Sequence, residues 1–269
     1  MTANALLSPG RICSINEMEG LVTPKTKLLS ICNPHNPLGR AWSVDELTDL
    51  ANFAERHNLM IFSDEVWFDV VYEPKTHICT MSVNKAAAER TYTVVGFSKN
   101  YGLEGMRVGG LIAPSEEKLN EVLERSFSST TAAGASTLSQ IAATAAMEDE
   151  ECREWLFNWR DHLHNQMEYA INRLNKMENV VCEFKPQACF VIFANVSKCL
   201  GDEMCQEGIE MVLMQYLIDN WKVAIIPGLP EVFGPGSGGH IRISVGTSFE
   251  NLQEGLNRLE QGLAAFSER

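Results

Sequence analysis

Residues 91–114 read TYTVVGFSKNYGLEGMRVGGLIAP. A β-branched and aromatic run, Thr91 to Phe97, has the composition of a buried strand. Ser98 and Lys99 close it. A glycine-punctuated loop, Asn100 to Met106, leads to Arg107, and a second apolar strand runs from Val108 to Ala113. A lysine between two buried strands is unusual, because lysine is among the residue types least often buried. Desolvation there lowers the amine's pKa and makes it a usable nucleophile toward a carbonyl.

Upstream, Leu28 to Cys32 (LLSIC) is a short apolar run that stops at NPHNPLGR, residues 33–40. Two prolines and a glycine there forbid a helix or a central strand, so the octet is a loop able to present the Asn36 amide. Ser43 and Glu46 form a capping box, and Leu47, Leu50, Ala51 and Ala54 give the next helix one apolar face to about His57. Leu59 to Phe62 is then a strand ending in Ser63-Asp64-Glu65. Strand, helix and strand in this order predict a right-handed crossover between parallel strands. A short helix near Ser82–Glu89 is expected in the less regular second crossover. Asn36, Asp64 and Lys99 each follow the carboxyl end of a candidate strand, and ligands bind open parallel sheets on that edge. An amide, a carboxylate and an amine are therefore expected on one edge. Asp64 alone could equally cap a helix or turn, and no histidine or further carboxylate at ligand spacing points to a metal.

The rest of the chain reads as supporting architecture. Helices are expected at Ser115–Phe127, Thr137–Met147, Glu150–Met177, Met204–Asn220 and Phe249–Phe266, with a small-residue loop at Ser128–Ser136. Strands are expected at Val180–Phe184, Cys189–Ala194 and His240–Val245. Leu156, Trp159, Leu163, Met167, Ala170, Ile171 and Leu174 form one stripe of the long helix, a core-packing pattern. The glycine-rich GPGSGG at residues 234–239 precedes a strand rather than a helix, which contradicts a phosphate loop and reads as a flexible turn. His162 and His164, two apart on a helix, face different sides and should not share a metal.

Composition bounds the function. The formal charge of −13 disfavours nucleic acid and anionic membranes as partners, and no apolar run reaches transmembrane length. The eight cysteines show no CxxC and no metal-site spacing, and are expected as reduced thiols of a cytoplasmic protein.

Gly96-Phe97-Ser98-Lys99, followed eight positions on by Arg107-Val108-Gly109, resembles the lysine motif of class I and II aminotransferases, the fold-type I enzymes dependent on pyridoxal phosphate. NPHNPLGR and Ser63-Asp64-Glu65 match the same family. NPHNP with Gly39, Arg40 and Trp42 is most similar to its cystathionine β-lyase-like branch, whereas Arg107 is more similar to the general aminotransferases. The resemblance implies an α/β fold. Residues 1–150 would form a pyridoxal-phosphate-binding major domain with a mainly parallel sheet. Residues 151–269 would supply a linking helix and a smaller α+β domain. It implies that Lys99 carries the cofactor and moves the Cα proton, that Asp64 pairs with the pyridine nitrogen, and that Asn36 hydrogen-bonds the 3′ oxygen and contacts substrate. Arg107 would bind the phosphate with help from Ser98. Arg242, which read alone could be an edge-strand arginine in water, would bind the substrate carboxylate.

Gly96 stands where the family often has a phosphate-binding hydroxyl, and Trp67 where it has Tyr or His near the 3′ oxygen. An indole N–H can donate there but not accept. The family's N-terminal portion carries a phosphate-cradling loop and a stacking aromatic, with no counterpart read here. Weak cofactor binding and near-background activity are therefore expected of this chain alone. The implied activity is transfer of an amino group from an α-amino acid to a 2-oxo acid by a homodimer. The alternatives are a carbon–sulfur β-lyase acting on cystathionine or a cysteine conjugate, and a non-catalytic ligand-binding module.

Overall fold

The computed structural model describes residues 14–126, 134–201 and 208–269. The small-residue loop read at 128–136 falls mostly outside them, as does the start read at Met204.

A short helix α1 (Ile15–Glu19) leads into β1 (Leu28–Cys32), α2 (Val44–Arg56), β2 (Met60–Asp64), α3 (Lys85–Arg90), β3 (Thr91–Gly96) and β4 (Gly109–Ile112). The strands form one sheet in the order β1-β2-β3-β4. The first two pairings are parallel and the last is antiparallel. The Ser43–Glu46 capping box forms at the start of α2 as its sequence predicts: each side chain meets the other's backbone N–H. Leu47, Ala51, Phe53 and Ala54 from α2 and Ala87 from α3 bury one face of the sheet against Ile31 and Ile61. Each large side chain buried there contributes about 1.5–3 kcal/mol.

The second half comprises α4 (Glu116–Arg125), α5 (Thr137–Glu148), the long α6 (Glu150–Leu174), β5 (Val191–Asn195), α7 (Ser197–Leu200), α8 (Ile209–Tyr216), β6 (Ile226–Pro227), α9 (Pro230–Phe233), β7 (His240–Ser244) and α10 (Phe249–Ser267). Leu156, Leu163, Met167, Ala170 and Leu174, all on the stripe read in α6, are buried. A three-stranded antiparallel sheet runs in the order β5-β7-β6. Arg242 therefore lies on the central strand, not on an edge strand facing water. No helix among the described residues is long and apolar enough to cross a membrane.

Three expectations fail locally. Val180–Phe184 is not a strand: only Val181 bridges, to Asn195. The chain turns through a left-handed Asn179 before that segment and reaches Pro186, which has no N–H to donate, after it. The strand expected from Cys189 begins at Val191, because Cys189 is left-handed and its N–H is committed to the Val70 carbonyl. The glycine-rich segment 234–239 is not a loose turn. Ser237 is buried and donates its hydroxyl to the Gly228 carbonyl at 2.9 Å, while Gly239 N–H reaches the Glu210 carboxylate at 2.9 Å.

The two halves are tied by the proline-rich loop. The Gly39 carbonyl accepts from the N–H groups of Gln187 and Ala188, at 2.7 and 2.9 Å. The segment Trp67–Tyr72, although it lies in the second crossover, joins the core built mainly by α6, β5, β7 and α10. Gly39 has φ +66°, and a Cβ there would sit 2.5 Å from the Ala188 carbonyl oxygen and 2.6 Å from Pro186 Cβ. Gly39→Ala is expected to destabilise the chain by about 2–4 kcal/mol through strain and lost contact. Thermal unfolding of the variant checks this.

Candidate active site

The carboxyl edge of the parallel strands holds three of the residues singled out in the sequence. Cys32 pairs with Asp64 in register, and Asp64 with Val94. The loops that leave β1, β2 and β3 therefore emerge side by side, carrying Asn36, Asp64 and Lys99.

Asp64 is half-buried, and one of its oxygens accepts the Val66 N–H at 3.3 Å. Among the described residues its other oxygen meets no donor and no cation pairs with it. Burial, with the neighbouring Glu65 charge, raises its pKa above the usual aspartate value. Lys99 is also half-buried. Among the described residues it makes no ion pair or hydrogen bond, and its Nζ lies 5.5 Å from the centre of the Trp67 ring. Trp67 is buried and packs edge-on against Phe190, with ring centres 4.6 Å apart. The tryptophan is thus a wall beneath the lysine amine.

Asn36 and Arg242 meet directly although 206 positions separate them: Arg242 Nη1 donates to Asn36 Oδ1 at 3.1 Å. That bond assigns the amide its orientation, so the Asn36 Nδ2 donor is left for a ligand. The Arg242 guanidinium also lies over the Phe233 ring at 5.3 Å. Phe233 contacts Phe193, and Phe193 stacks on the buried His240 with ring centres 4.8 Å apart. Burial lowers the Arg242 pKa.

Arg107 is placed differently. It is exposed, takes a left-handed φ of 51°, and lines a cavity of about 520 Å³ with Met106, Val108, Ser136, Leu138 and Ser139. Asn36, Asp64 and Lys99 do not border that cavity. Ser98 is half-buried and makes no side-chain hydrogen bond among the described residues.

The structure adds a residue that sequence reading did not single out. The Cys189 thiol is fully buried and lies within reach of the Asp64 and Arg242 charges. Burial pushes it well above the usual thiol range, so it is an apolar filler between the two halves rather than a nucleophile. Only its position beside Phe190, at the entry to β5, could have flagged it.

An amine and a half-buried carboxylate, neither spent on the other, fit a cofactor with an aldehyde and a basic ring nitrogen. A free amide donor and a half-buried guanidinium complete the donor set. Of the residues expected at the phosphate, Ser98 adjoins Lys99, whereas Arg107 is exposed and lines the cavity with Ser136 and Ser139.

The sequence profile described as "Aminotransferase class I and II" matches residues 5–259. The chain is 34% identical over 251 residues to aromatic-amino-acid aminotransferase 2 of Thermococcus litoralis, covering 93% of this chain and 60% of that protein. The crystal structure of an aromatic aminotransferase from Pyrococcus horikoshii OT3 superposes with a TM-score of 0.80 at 30% identity, covering 94% of this chain and 63% of that one. A PLP-bound C–S lyase from Staphylococcus hominis also superposes with a TM-score of 0.80, at 25% identity, covering 94% and 62%. The chain spans about 60% of the length of the curated relatives it matches.

Proposed function

The chain belongs to the class I and II aminotransferase family, and from that premise we propose that it acts with pyridoxal phosphate in moving an amino group from an α-amino acid to a 2-oxo acid. The observation that carries this reading is the unspent pair at the sheet edge. Asp64 and Lys99 are both half-buried, neither is neutralised by another described residue, and each stands where a strand ends. Burying such groups costs stability unless a ligand uses them.

Pyridoxal phosphate, when bound, supplies an aldehyde that takes an amine and a ring that accepts the electron pair released at Cα. Lys99 Nζ would hold the cofactor and, as a free amine, would be the base that carries the Cα proton. Its place over the indole face keeps water from one side of the amine. Asp64 would hold a proton on the ring nitrogen, and its raised pKa would make it a stronger acceptor for that proton than an exposed aspartate. Asn36 Nδ2 would donate to the ring oxygen while its Oδ1 accepts from Arg242. Arg242 offers its remaining N–H groups to the substrate carboxylate, a planar fork for a planar anion. Trp67, unable to accept a hydrogen bond, serves as a packing surface. Ser98 and Arg107 are assigned to the phosphate. The working unit is a homodimer in the cytoplasm, acting on small amino and 2-oxo acids.

A β-lyase is the second reading. The NPHNP–Gly39–Arg40–Trp42 pattern and the likeness to a C–S lyase structure favour it, and it uses the same Lys99 and Asp64. Two measurements test the proposal. Adding pyridoxal phosphate to the purified protein is expected to produce a visible absorption band above 400 nm. Incubation with an aromatic amino acid and a 2-oxo acid, in parallel with cystathionine, then separates the reactions. A new aromatic oxo acid supports amino transfer, and pyruvate from cystathionine supports the lyase. Neither product nor band would overturn the proposal for this chain taken by itself.

A further inference from the structure

Behind the row of residues that faces the site lies a second, buried polar row. Glu65 follows Asp64 directly but is sequestered, with only 1% of the residue exposed. Among the described residues three hydrogen bonds reach its carboxylate, and the Cys79 thiol lies close by. Oε1 accepts from Ser63 Oγ at 2.8 Å and from the Thr80 N–H at 3.0 Å, and Oε2 meets His77 Nε2 at 2.7 Å. These donors hold its pKa below the usual glutamate value although burial alone would raise it. The Thr80 hydroxyl meets Ser63 Oγ at 2.8 Å and accepts from Asn33 Nδ2 at 3.2 Å. Asn33 Nδ2 also donates to the Ile78 carbonyl at 2.8 Å. Asn33 is buried and lies three residues before Asn36 in the proline-rich loop.

A second buried polar group lies beside the lysine. Asp69 Oδ2 accepts from Asn100 Nδ2 at 3.1 Å, and the same nitrogen donates to the Gly96 carbonyl at 3.3 Å. Asn100 is fully buried and adjoins Lys99. Asn33, Glu65 and Asn100 thus come from the loops after β1, β2 and β3, each within three residues of Asn36, Asp64 or Lys99.

A buried carboxylate is an expensive way to fill space. Taking the charge out of water costs several kcal/mol, and an apolar side chain of similar volume would often be at least as stable. Uncharged packing, however, would not fix the loop after β1 and the segment after β2 to one point through directional bonds. We propose that Glu65 is a positioning residue: its buried carboxylate, acting through Ser63, Thr80 and Asn33, sets where Asp64 and Asn36 stand relative to the cofactor. This rests on the reading of Asp64 and Asn36 as cofactor-binding groups. A fully buried anion beside Asp64 also bears on that residue, since the Glu65 charge adds to burial in disfavouring its ionised form.

Glu65→Gln keeps the shape of the side chain and removes its charge. The first arm uses the full chain without cofactor, so that it stands even where the proposed activity fails. The side-chain amide resonances of Asn33 and Asn36 are followed by NMR, and both are expected to shift while the circular dichroism spectrum stays that of the folded chain. A shift at Asn33 with none at Asn36 would overturn the proposal, because the network would then end short of the site. The second arm uses the cofactor-loaded protein. There kcat is expected to fall by about 10- to 100-fold, the cost of a misplaced site, with KM changing less. Glu65→Asp, which restores the charge on a shorter arm, is expected to recover part of the loss. A wild-type kcat in a folded Glu65→Gln protein would equally sink the idea. Should Glu65→Gln not fold, Thr80→Val removes the hydroxyl that joins Ser63 to Asn33 and leaves Glu65 its other partners. It is expected to shift the Asn36 amide, and an unmoved resonance there refutes the role. If the wild-type protein gives no cofactor band, the functional reading fails, whereas the cofactor-free arm still decides whether Glu65 sets the loop.

Discussion

Lys99→Ala is expected to abolish turnover, lowering it by at least about 10⁴-fold, because the proposed function gives one side chain both the attachment of the cofactor and the proton transfer at Cα. The fold should not suffer. Lys99 makes no ion pair or hydrogen bond with the described residues, and its one charge contact, over the Trp67 ring at 5.5 Å, is of the weak kind. The unfolding temperature of the variant should therefore match the parent within a degree or two, a change in stability of about 0.5 kcal/mol. Borohydride treatment of the cofactor-loaded parent, followed by peptide mapping, should find the pyridoxyl group on Lys99 and nowhere else. A label on another lysine, or a variant that retains turnover, removes Lys99 from the role.

Asp64→Asn is expected to leave the cofactor attached and to lower turnover by about 10²–10³-fold, the usual loss when a charged partner of the reacting system is removed. An amide cannot hold the ring nitrogen in its protonated form as a carboxylate does. The stability of the cofactor-free chain should move the other way. Asp64 has a folded-state pKa raised above its unfolded value, so its contribution is present below the unfolded pKa and is lost as pH rises through the folded one. At neutral pH the ionised carboxylate is a net burden on the fold. The variant should be as stable as the parent, or more so, at pH 7, with the gap closing as the solution is acidified below the aspartate range. Loss of turnover together with a gain in stability is what separates a group kept for chemistry from one kept for structure. A variant that turns over normally would remove Asp64 from the ring nitrogen. One that is less stable than the parent at pH 7 would make it a structural carboxylate.

Much of this molecule was legible before its structure. The strand–helix–strand unit at residues 28–64 is written in local signals: an apolar run, a proline-rich stop, a capping box at Ser43 and Glu46, and an apolar stripe along α2. Those signals act over one or two turns of chain, where the physics of hydrogen-bond satisfaction and side-chain periodicity needs no distant partner. Because parallel strands put their carboxyl ends on one edge, the same signals also brought Asn36, Asp64 and Lys99 to that edge. The readings that failed needed distant partners. Val180–Phe184 has the composition of a strand, yet the chain is diverted there to carry Gln187–Cys189 past Gly39 and Val70. The turn at 234–239 looks loose in sequence and is held by Gly228 and Glu210.

By itself, then, the sequence determined the elements, their order and the edge on which the chemistry stands. Which face of the Asn36 amide is free was decided only by Arg242, 206 residues away on the central strand of another sheet. Arg107 was expected to bind the phosphate; that it is exposed and lines a cavity with Met106 and Ser139 was decided by the tertiary structure. Likewise Glu65 is an ordinary polar neighbour of Asp64 on paper. Hydrogen bonds to positions 63, 77 and 80 turn it into a buried hub. The reason is the range of the forces. Helix caps and strand patterns are settled by neighbours in the chain, whereas burial, and with it the strength of every charge and hydrogen bond, is set by whatever the completed fold brings alongside.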